Sequence, residues 1–325
     1  MVAASPLDIL RFLAARADEG MDCVLVTLVG IEGGSSRALG AQMAVAADGR
    51  RVGSFSGGCI EDAAATEALE TLEEGWGHVV RYGIGSPYID IRLPCGGGID
   101  LLFTPRPAPE AIAATLSLLD QREPAALRID CDGAAVADPL MQKAWDGRDV
   151  TLSYQPPLRV IALGQGEDLT AFCHLAKAFG TQVTALSPDA GTQQLLAQSG
   201  INSLHLPTRT TLPPLKGDAW TAIVFLFHGR DWEEFLLPQA LALPAYYHGA
   251  IGSRRTHAAR LANLRAAGLG EQVIGRMRGH IGLIPATRDP ATLALSILGE
   301  IVSEYNSLAN WTYWTGEPLS AATLR

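Results

Sequence analysis

No uninterrupted run of eighteen or more apolar residues occurs in the 325-residue chain, so no membrane-spanning helix is expected. The N-terminus, MVAASPLDILRFLAARADEG, lacks a basic start followed by a long apolar core. It reads as an amphipathic helix with Leu7, Leu10, Leu13, Ala14 and Ala17 on one face, and not as a secretion signal. Cysteine is scarce. Cys23, Cys59, Cys95, Cys131 and Cys173 are odd in number, far apart and form no CxxC pair. A disulfide framework or structural zinc is therefore not expected, and reduced thiols in the cytoplasm are. Bases are outnumbered as well: 25 Lys and Arg against 34 Asp and Glu leave a net charge of −9. That balance argues against nucleic acid or an anionic membrane as partner.

What is present is a globular composition, 48% hydrophobic and 18% charged, over a length that suits two domains. The 34 glycines are spread over short loops, which suggests tight turns and close ligand approach. There is no internal repeat. Residues 1–105 read as a mixed α/β domain. Cys23–Gly30 is a buried-strand candidate, and a hairpin turns at Asp48-Gly49. A helix spans about Ile60–Glu74, ended by Gly75, and strands IDIRL (89–93) and IDLLF (99–103) bracket Pro94-Cys-Gly-Gly-Gly98. Residues 106–157 are expected to be a connector with some structure of its own. From 158 to 305 strands alternate with helices: Arg159–Leu163, a helix through Phe179, QVTAL, Ala222–Phe227, a helix near Trp232–Leu243, AYYHGAIGS and an arginine-bearing helix. This alternation predicts a Rossmann-like domain with a parallel sheet covered on both faces. Residues 306–325 form a tail.

Three N-terminal loops combine glycine with hydroxyl or thiol groups: Gly34-Ser35-Ser36-Arg37, Ser56-Gly57-Gly58-Cys59 and Cys95-Gly96-Gly97-Gly98. Glycine lets backbone N–H groups close around an anion. Cys59 stands where a strand gives way to a helix, and the helix N-terminus favours the thiolate, the form that binds metals. Glu61 and Asp62 in the first turn oppose that effect. A buried cysteine is also an ordinary small hydrophobe, a reading that weighs about evenly for Cys59 and Cys95 and prevails for Cys23, Cys131 and Cys173. Arg37 is an anion holder or a solvated arginine.

The runs Gly34-Ser-Ser-Arg37, Leu39-Gly-Ala-Gln-Met43, Gly53-Ser-Phe-Ser-Gly-Gly-Cys-Ile-Glu61 and Pro94-Cys-Gly-Gly97 resemble the XdhC/CoxI family signature. So do Gly252-Ser-Arg-Arg255, Ile281-Gly-Leu283 and Ala294–Val302, in order along nearly the whole chain. The resemblance implies an accessory protein, more a chaperone than an enzyme. It would bind molybdenum cofactor (molybdopterin), protect it during sulfuration, and assist its insertion into a xanthine dehydrogenase-like molybdoenzyme. A cysteine desulfurase is an implied further partner, and a homodimer is the expected state. The family's cofactor-binding cysteine falls on Cys59, a candidate ligand of the cofactor's molybdenum, consistent with a soft thiolate on a soft metal centre.

The Rossmann-like half departs from its template. Gly164-Gln165-Gly166 keeps the first two glycines of a dinucleotide fingerprint, but Leu169 replaces the small third residue. Glu167 and Asp168 place carboxylates beside the pyrophosphate position, and Ser187 ends the second strand where an acidic residue would hold the ribose, with Asp189 two residues on. Where the family carries histidine and aspartate, this chain has Glu167 and Ser187; His280 and Ile284 replace its proline and aspartate. NAD(P) is therefore disfavoured, and a structural platform for a partner is preferred. His228 and Asp231 follow an apolar strand at its ligand-binding end, and Gly252-Ser253-Arg254-Arg255 opens a helix as an anion site, each weighed against capping or solvated roles. Two other readings stand beside the chaperone: an NAD(P)-dependent oxidoreductase, and a thiol enzyme using Cys59 or Cys95.

Overall fold

The computed structural model describes residues 4–56, 58, 60–86, 96–141 and 143–308. These divide after Pro156 into two units.

The first unit begins with α1 (Pro6–Asp18). Ser5 caps it by a reciprocal box with Asp8, and Pro6 stands at its first turn, where its missing N–H costs nothing. Strands β1 (Cys23–Glu32), β2 (Gln42–Ala46) and β3 (Arg51–Gly53) precede α2 (Glu61–Glu74), and β4 (His78–Gly83) and β5 (Gly98–Pro105) follow it. They form an antiparallel sheet of order β3-β2-β1-β5-β4. The Asp48-Gly49 turn joins β2 to β3, and Gly49 adopts φ +82°, the left-handed region open to glycine. β1 is apolar on both sides because both faces of the sheet are covered. Val24, Val26 and Leu28 pack with Ala64, Ala68 and Leu72 of α2. Cys23, Leu25 and Val29 pack on the opposite face with α1.

The stretch expected as a connector belongs to this unit. It carries α3 (Pro109–Asp120) and a three-stranded sheet of order β7-β6-β8, from β6 (Ala125–Asp130), β7 (Ala134–Ala137) and β8 (Asp149–Tyr154). Ile112, Leu119, Leu127 and Val150 share the core of Leu10 and Leu25, so the segment closes the second face of the large sheet. Its weak strand signal reflects short strands, two of which, β6 and β7, begin with paired alanines. Tyr154 donates its hydroxyl to Gln42 Oε1 at 2.9 Å, tying β8 to β2.

The second unit runs β9 (Arg159–Gly164), α4 (Gly166–Phe179), β10 (Gln182–Ser187), α5 (Ala190–Gln198), β11 (Asn202–His205) and β12 (Thr221–Leu226). After a 3-10 turn at Arg230–Trp232 come α6 (Glu233–Ala242), β13 (Tyr247–Ala250), α7 (Arg254–Ala266), α8 (Glu271–Ile274), β14 (Met277–Gly279) and α9 (Pro290–Leu308). The sheet is parallel throughout, in the order β11-β10-β9-β12-β13-β14. That is the doubly wound dinucleotide-fold order, 3-2-1-4-5-6 by strand. Val160 and Ala162 of β9 face α4 and α9, while Ile161 and Leu163 face α6 and α7. The expected α/β class and its Rossmann-like half are thus what the chain forms.

The late motifs hold this unit's edge together. Glu300 of α9 accepts the Tyr247 hydroxyl at 2.8 Å and the Gly282 N–H, and Arg278 pairs with Glu304 at 2.8 Å. No helix among the described residues is long and apolar enough to cross a membrane.

Candidate functional site

Antiparallel pairing brings three distant loops to one end of the five-stranded sheet. β1, β3 and β4 end there at Glu32, Gly53 and Gly83, and β2 and β5 begin there at Gln42 and Gly98. Ser35, Ser36 and Arg37, then Ser56 and Gly58, then Gly96 and Gly97 all lie on connections leaving that end. Gly97 passes so close to the first loop that a Cβ there would meet the Gly34 carbonyl oxygen at 2.3 Å and that of Glu32 at 2.7 Å. The glycine at 97 is required by close backbone approach. Ser35 folds its own loop by accepting the Arg37 N–H at 3.3 Å and donating to the Arg37 carbonyl at 2.8 Å. The Arg37 side chain, exposed, reaches the Ser36 carbonyl at 3.2 Å.

The middle loop is wound around a carboxylate. Glu61 is only 5% exposed. Its Oε1 accepts Ser54 Oγ at 2.8 Å, the Phe55 N–H at 2.8 Å and the Ser56 N–H at 2.7 Å. Its Oε2 accepts Ser56 Oγ at 2.8 Å, the Gly58 N–H at 2.8 Å and the Ile60 N–H at 3.3 Å. Burial alone would push this carboxyl up, but the bonds from Ser56, Ser54 and Phe55 outweigh it and hold the group far below the usual carboxylate range. The glycine-rich loop therefore already encloses an anion, its own. From sequence alone Glu61 is a charge in the first turn and the last residue of the run that resembles the family signature. The signal for the larger role is a glutamate closing a run of hydroxyls and glycine N–H donors. Asp62, by contrast, turns outward to Arg51 at 2.6 Å.

Gly57, Cys59 and Cys95, and the strand expected at 89–93, lie outside the described residues. The surroundings of the described cysteines disfavour the thiolate. Burial pushes the Cys23 thiol up to about 11 and that of Cys173 up to about 12, and burial with Asp132 and Asp130 raises Cys131. Among the described residues no cluster of three or more His, Cys, Asp or Glu could hold a metal ion.

In the second unit the candidates fall into separate places. The Gly166 N–H, which a pyrophosphate would need, donates to Thr192 Oγ1 at 3.0 Å. Ser187 is fully buried and accepts the Asp189 N–H at 3.2 Å. Asp189 caps α5, accepting Thr192 N–H at 2.7 Å and Oγ1 at 2.6 Å. A cavity of about 530 Å³ beside them is lined by Gly166, Glu167, Asp189, Thr192, Gln194 and Gln198. Its carboxylates suit a dinucleotide poorly. Gly164 lets β9 and β12 approach, since a Cβ would sit 3.0 Å from that of Leu226. His228 reaches across the crevice between these two strands to Asp168 at 2.8 Å. Asp231 pairs with Arg209 at 3.1 Å on the surface. Gly252 has φ +141°, Ser253 caps α7 by accepting the Thr256 N–H at 3.2 Å, and Arg254 and Arg255 are exposed.

Residues 160–301 match a family model described as the XdhC Rossmann domain, and residues 16–83 match that of the XdhC and CoxI family. The chain is 37% identical over 299 residues to the molybdenum cofactor insertion chaperone PaoD of Escherichia coli K12, covering 91% of this chain and 87% of that protein. It is 24% identical over 284 residues to the uncharacterised YqeB of the same organism, covering 84% of this chain and 42% of YqeB. A Bacillus halodurans crystal structure, described as a xanthine dehydrogenase, superposes with a TM-score of 0.70 at 19% identity. The match covers 92% of this chain and 96% of that one, and shows a common fold.

Proposed function

The chain belongs to the XdhC and CoxI family, and on that premise we propose that it binds molybdenum cofactor as cargo and assists its insertion into a molybdoenzyme. The observation that carries this reading is the convergence of the three glycine loops at one end of the antiparallel sheet. Ser35, Ser36, Arg37, Ser56 and Gly96-Gly97 stand there as the residues facing a bound cofactor, with Cys59 and Cys95 adjacent in sequence. Likeness to PaoD supports the cargo. A soft thiolate at Cys59 suits the metal. Because Glu61 takes up the Ser54 and Ser56 hydroxyls as well as the Phe55, Ser56, Gly58 and Ile60 N–H groups, the middle loop offers the cargo its thiol more than its hydrogen-bond donors. Arg37, exposed on the first loop, is a cation for the pterin phosphate.

A xanthine dehydrogenase-like enzyme as client, sulfuration with a cysteine desulfurase, a homodimer and a cytoplasmic location belong to the same proposal as its finer parts. NAD(P)-dependent oxidation is the weaker alternative, since Thr192 occupies the Gly166 N–H and Ser187 replaces the ribose-binding carboxylate. The test is transfer. The full chain, loaded with molybdenum cofactor and freed of excess, should activate a cofactor-free xanthine dehydrogenase-like enzyme faster than the same amount of free cofactor does. Activation no faster than free cofactor would sink the insertion role.

A further inference from the structure

The junction of the first and third glycine loops also holds a cluster of charges. β5 lies between β1 and β4, and its Gly98 stands opposite Glu32 on one side and Gly83 on the other. With no side chain at 98 to separate them, Glu32, Arg81 and Asp100 meet across the three strands. Arg81 donates Nη1 to both Asp100 oxygens at 3.2 Å, Nη2 to Glu32 Oε2, and Nε to the Ile84 carbonyl at 2.7 Å. The guanidinium is closely seated: a Cβ at Gly98 would stand 2.9 Å from Nη2, and one at Gly85 3.1 Å from Nε. Nη2 therefore lies beside the residue that follows Gly97, where the third loop touches the backbone of Gly34 and Glu32.

The partners of this guanidinium are not equivalent. Asp100 is its cross-strand neighbour, meets it with both oxygens, and has a side chain only 29% exposed. The Ile84 carbonyl belongs to the backbone. Glu32 ends β1, its side chain is 65% exposed, and Nη2 is its one partner among the described residues. Two carboxylates on one cation also repel each other, and an exposed ion pair is weakly held. Nε and Nη1 can therefore keep Arg81 in place while Nη2 exchanges Glu32 for another anion. The released carboxylate would pass into water, where its charge is at no disadvantage. A guanidinium suits a phosphate in particular, because its N–H groups match the spacing of the phosphate oxygens.

We propose that Arg81 is a second cation for the phosphate group of the cargo, and that Glu32 is a place-holder which this phosphate displaces from Nη2. The inference rests on the cofactor reading and deepens it. It assigns the phosphate end of the cofactor to the first and third loops, which carry or adjoin Arg37 and Arg81, and leaves the Cys59 thiol for the metal end. Glu32 then sets how tightly the cargo is held, since every binding event must first break its pair with Arg81.

The experiment is equilibrium binding to the full chain, with oxygen excluded and pterin fluorescence as the signal. The probes are molybdenum cofactor, metal-free molybdopterin, and molybdopterin whose phosphate has been removed by a phosphatase. Glu32→Gln, a surface change, should bind the two phosphorylated probes about threefold or more tighter than wild type, because a competitor and a like charge are gone. Arg81→Gln should bind them about tenfold or more weaker. In the Arg81→Gln background Glu32→Gln should bring no gain, and the dephosphorylated probe should bind wild type and Glu32→Gln alike. A clasp that only held the strands together would instead weaken binding in both single variants. If Arg81→Gln does not fold, the Glu32→Gln gain and its dependence on the phosphate decide. Wild type binding neither cofactor nor molybdopterin would overturn the cofactor reading, and this inference with it. Binding by wild type without a gain in Glu32→Gln would overturn this inference alone. So would a gain that persists without Arg81 or without the phosphate.

Discussion

A carboxylate two positions after a cysteine ordinarily works against a thiolate, and from sequence Glu61 reads that way for Cys59. Its fold-back into the loop gives it another task. Hydrogen bonds from Ser54, Phe55, Ser56, Gly58 and Ile60 make it the template of the segment that carries Cys59. Glu61→Gln would replace one acceptor oxygen by a donor facing other donors. The expected loss is about 3 kcal/mol, from hydrogen bonds to a charged group and buried donors left unmade, read as a lower urea midpoint for the transition that includes this unit. The pH dependence follows from the depressed carboxyl. The folded chain holds fewer protons at this site than the unfolded chain does in acid, so the stabilisation is complete above the ordinary carboxylate range and is lost as pH falls below about 5. The difference between wild type and Glu61→Gln should therefore shrink from pH 6 toward pH 3. A difference that stays constant over that range would refute the ionised template.

At the scale of elements, the close approach of the first and third glycine loops depends on one missing side chain. A Cβ at Gly97 would collide with backbone of both Gly34 and Glu32, where nothing can rotate away. Gly97→Ala should cost about 1–3 kcal/mol as an overpacked contact. Gly133→Ala, which meets nothing within 4 Å, should stay within about 0.5 kcal/mol of wild type. Equal effects would mean that the loops do not depend on this contact. The individual elements here were legible in sequence: the Asp48-Gly49 hairpin, the Cys23–Gly30 strand and the helix ended by Gly75 all rest on local signals. Their convergence was not, because β1 pairs with β5 across about seventy intervening residues and local periodicity carries no trace of that partner. The Arg260–Glu233 fork was hidden for the same reason, its partners standing 27 positions apart, with the arginines of α7 reading as a solvated face. Ser187 and Gly166 show the reverse case. The eroded fingerprint was visible in sequence, and the cap on Asp189 and the bond from Gly166 to Thr192 fit with it.

For the whole molecule, two units with separate cores accompany two separate sets of polar features: glycine loops at a sheet end in the first, and the Arg260–Glu233 fork with the Ser253 helix cap in the second. The alternation of strands and helices announced the second unit plainly. The first unit's boundary was less plain, since the strands in 125–154 are short and two of them begin with paired alanines, yet their residues complete its core. The account's central claim is that the loop end of the first unit carries molybdenum cofactor through Cys59. Its most direct measurement is the molybdenum and pterin retained through gel filtration by wild type and by Cys59→Ala, with each protein's fold checked by its unfolding transition. The account predicts close to stoichiometric retention by wild type and loss in the variant with an unchanged transition. Equal retention by a folded Cys59→Ala, or none by wild type, would contradict it.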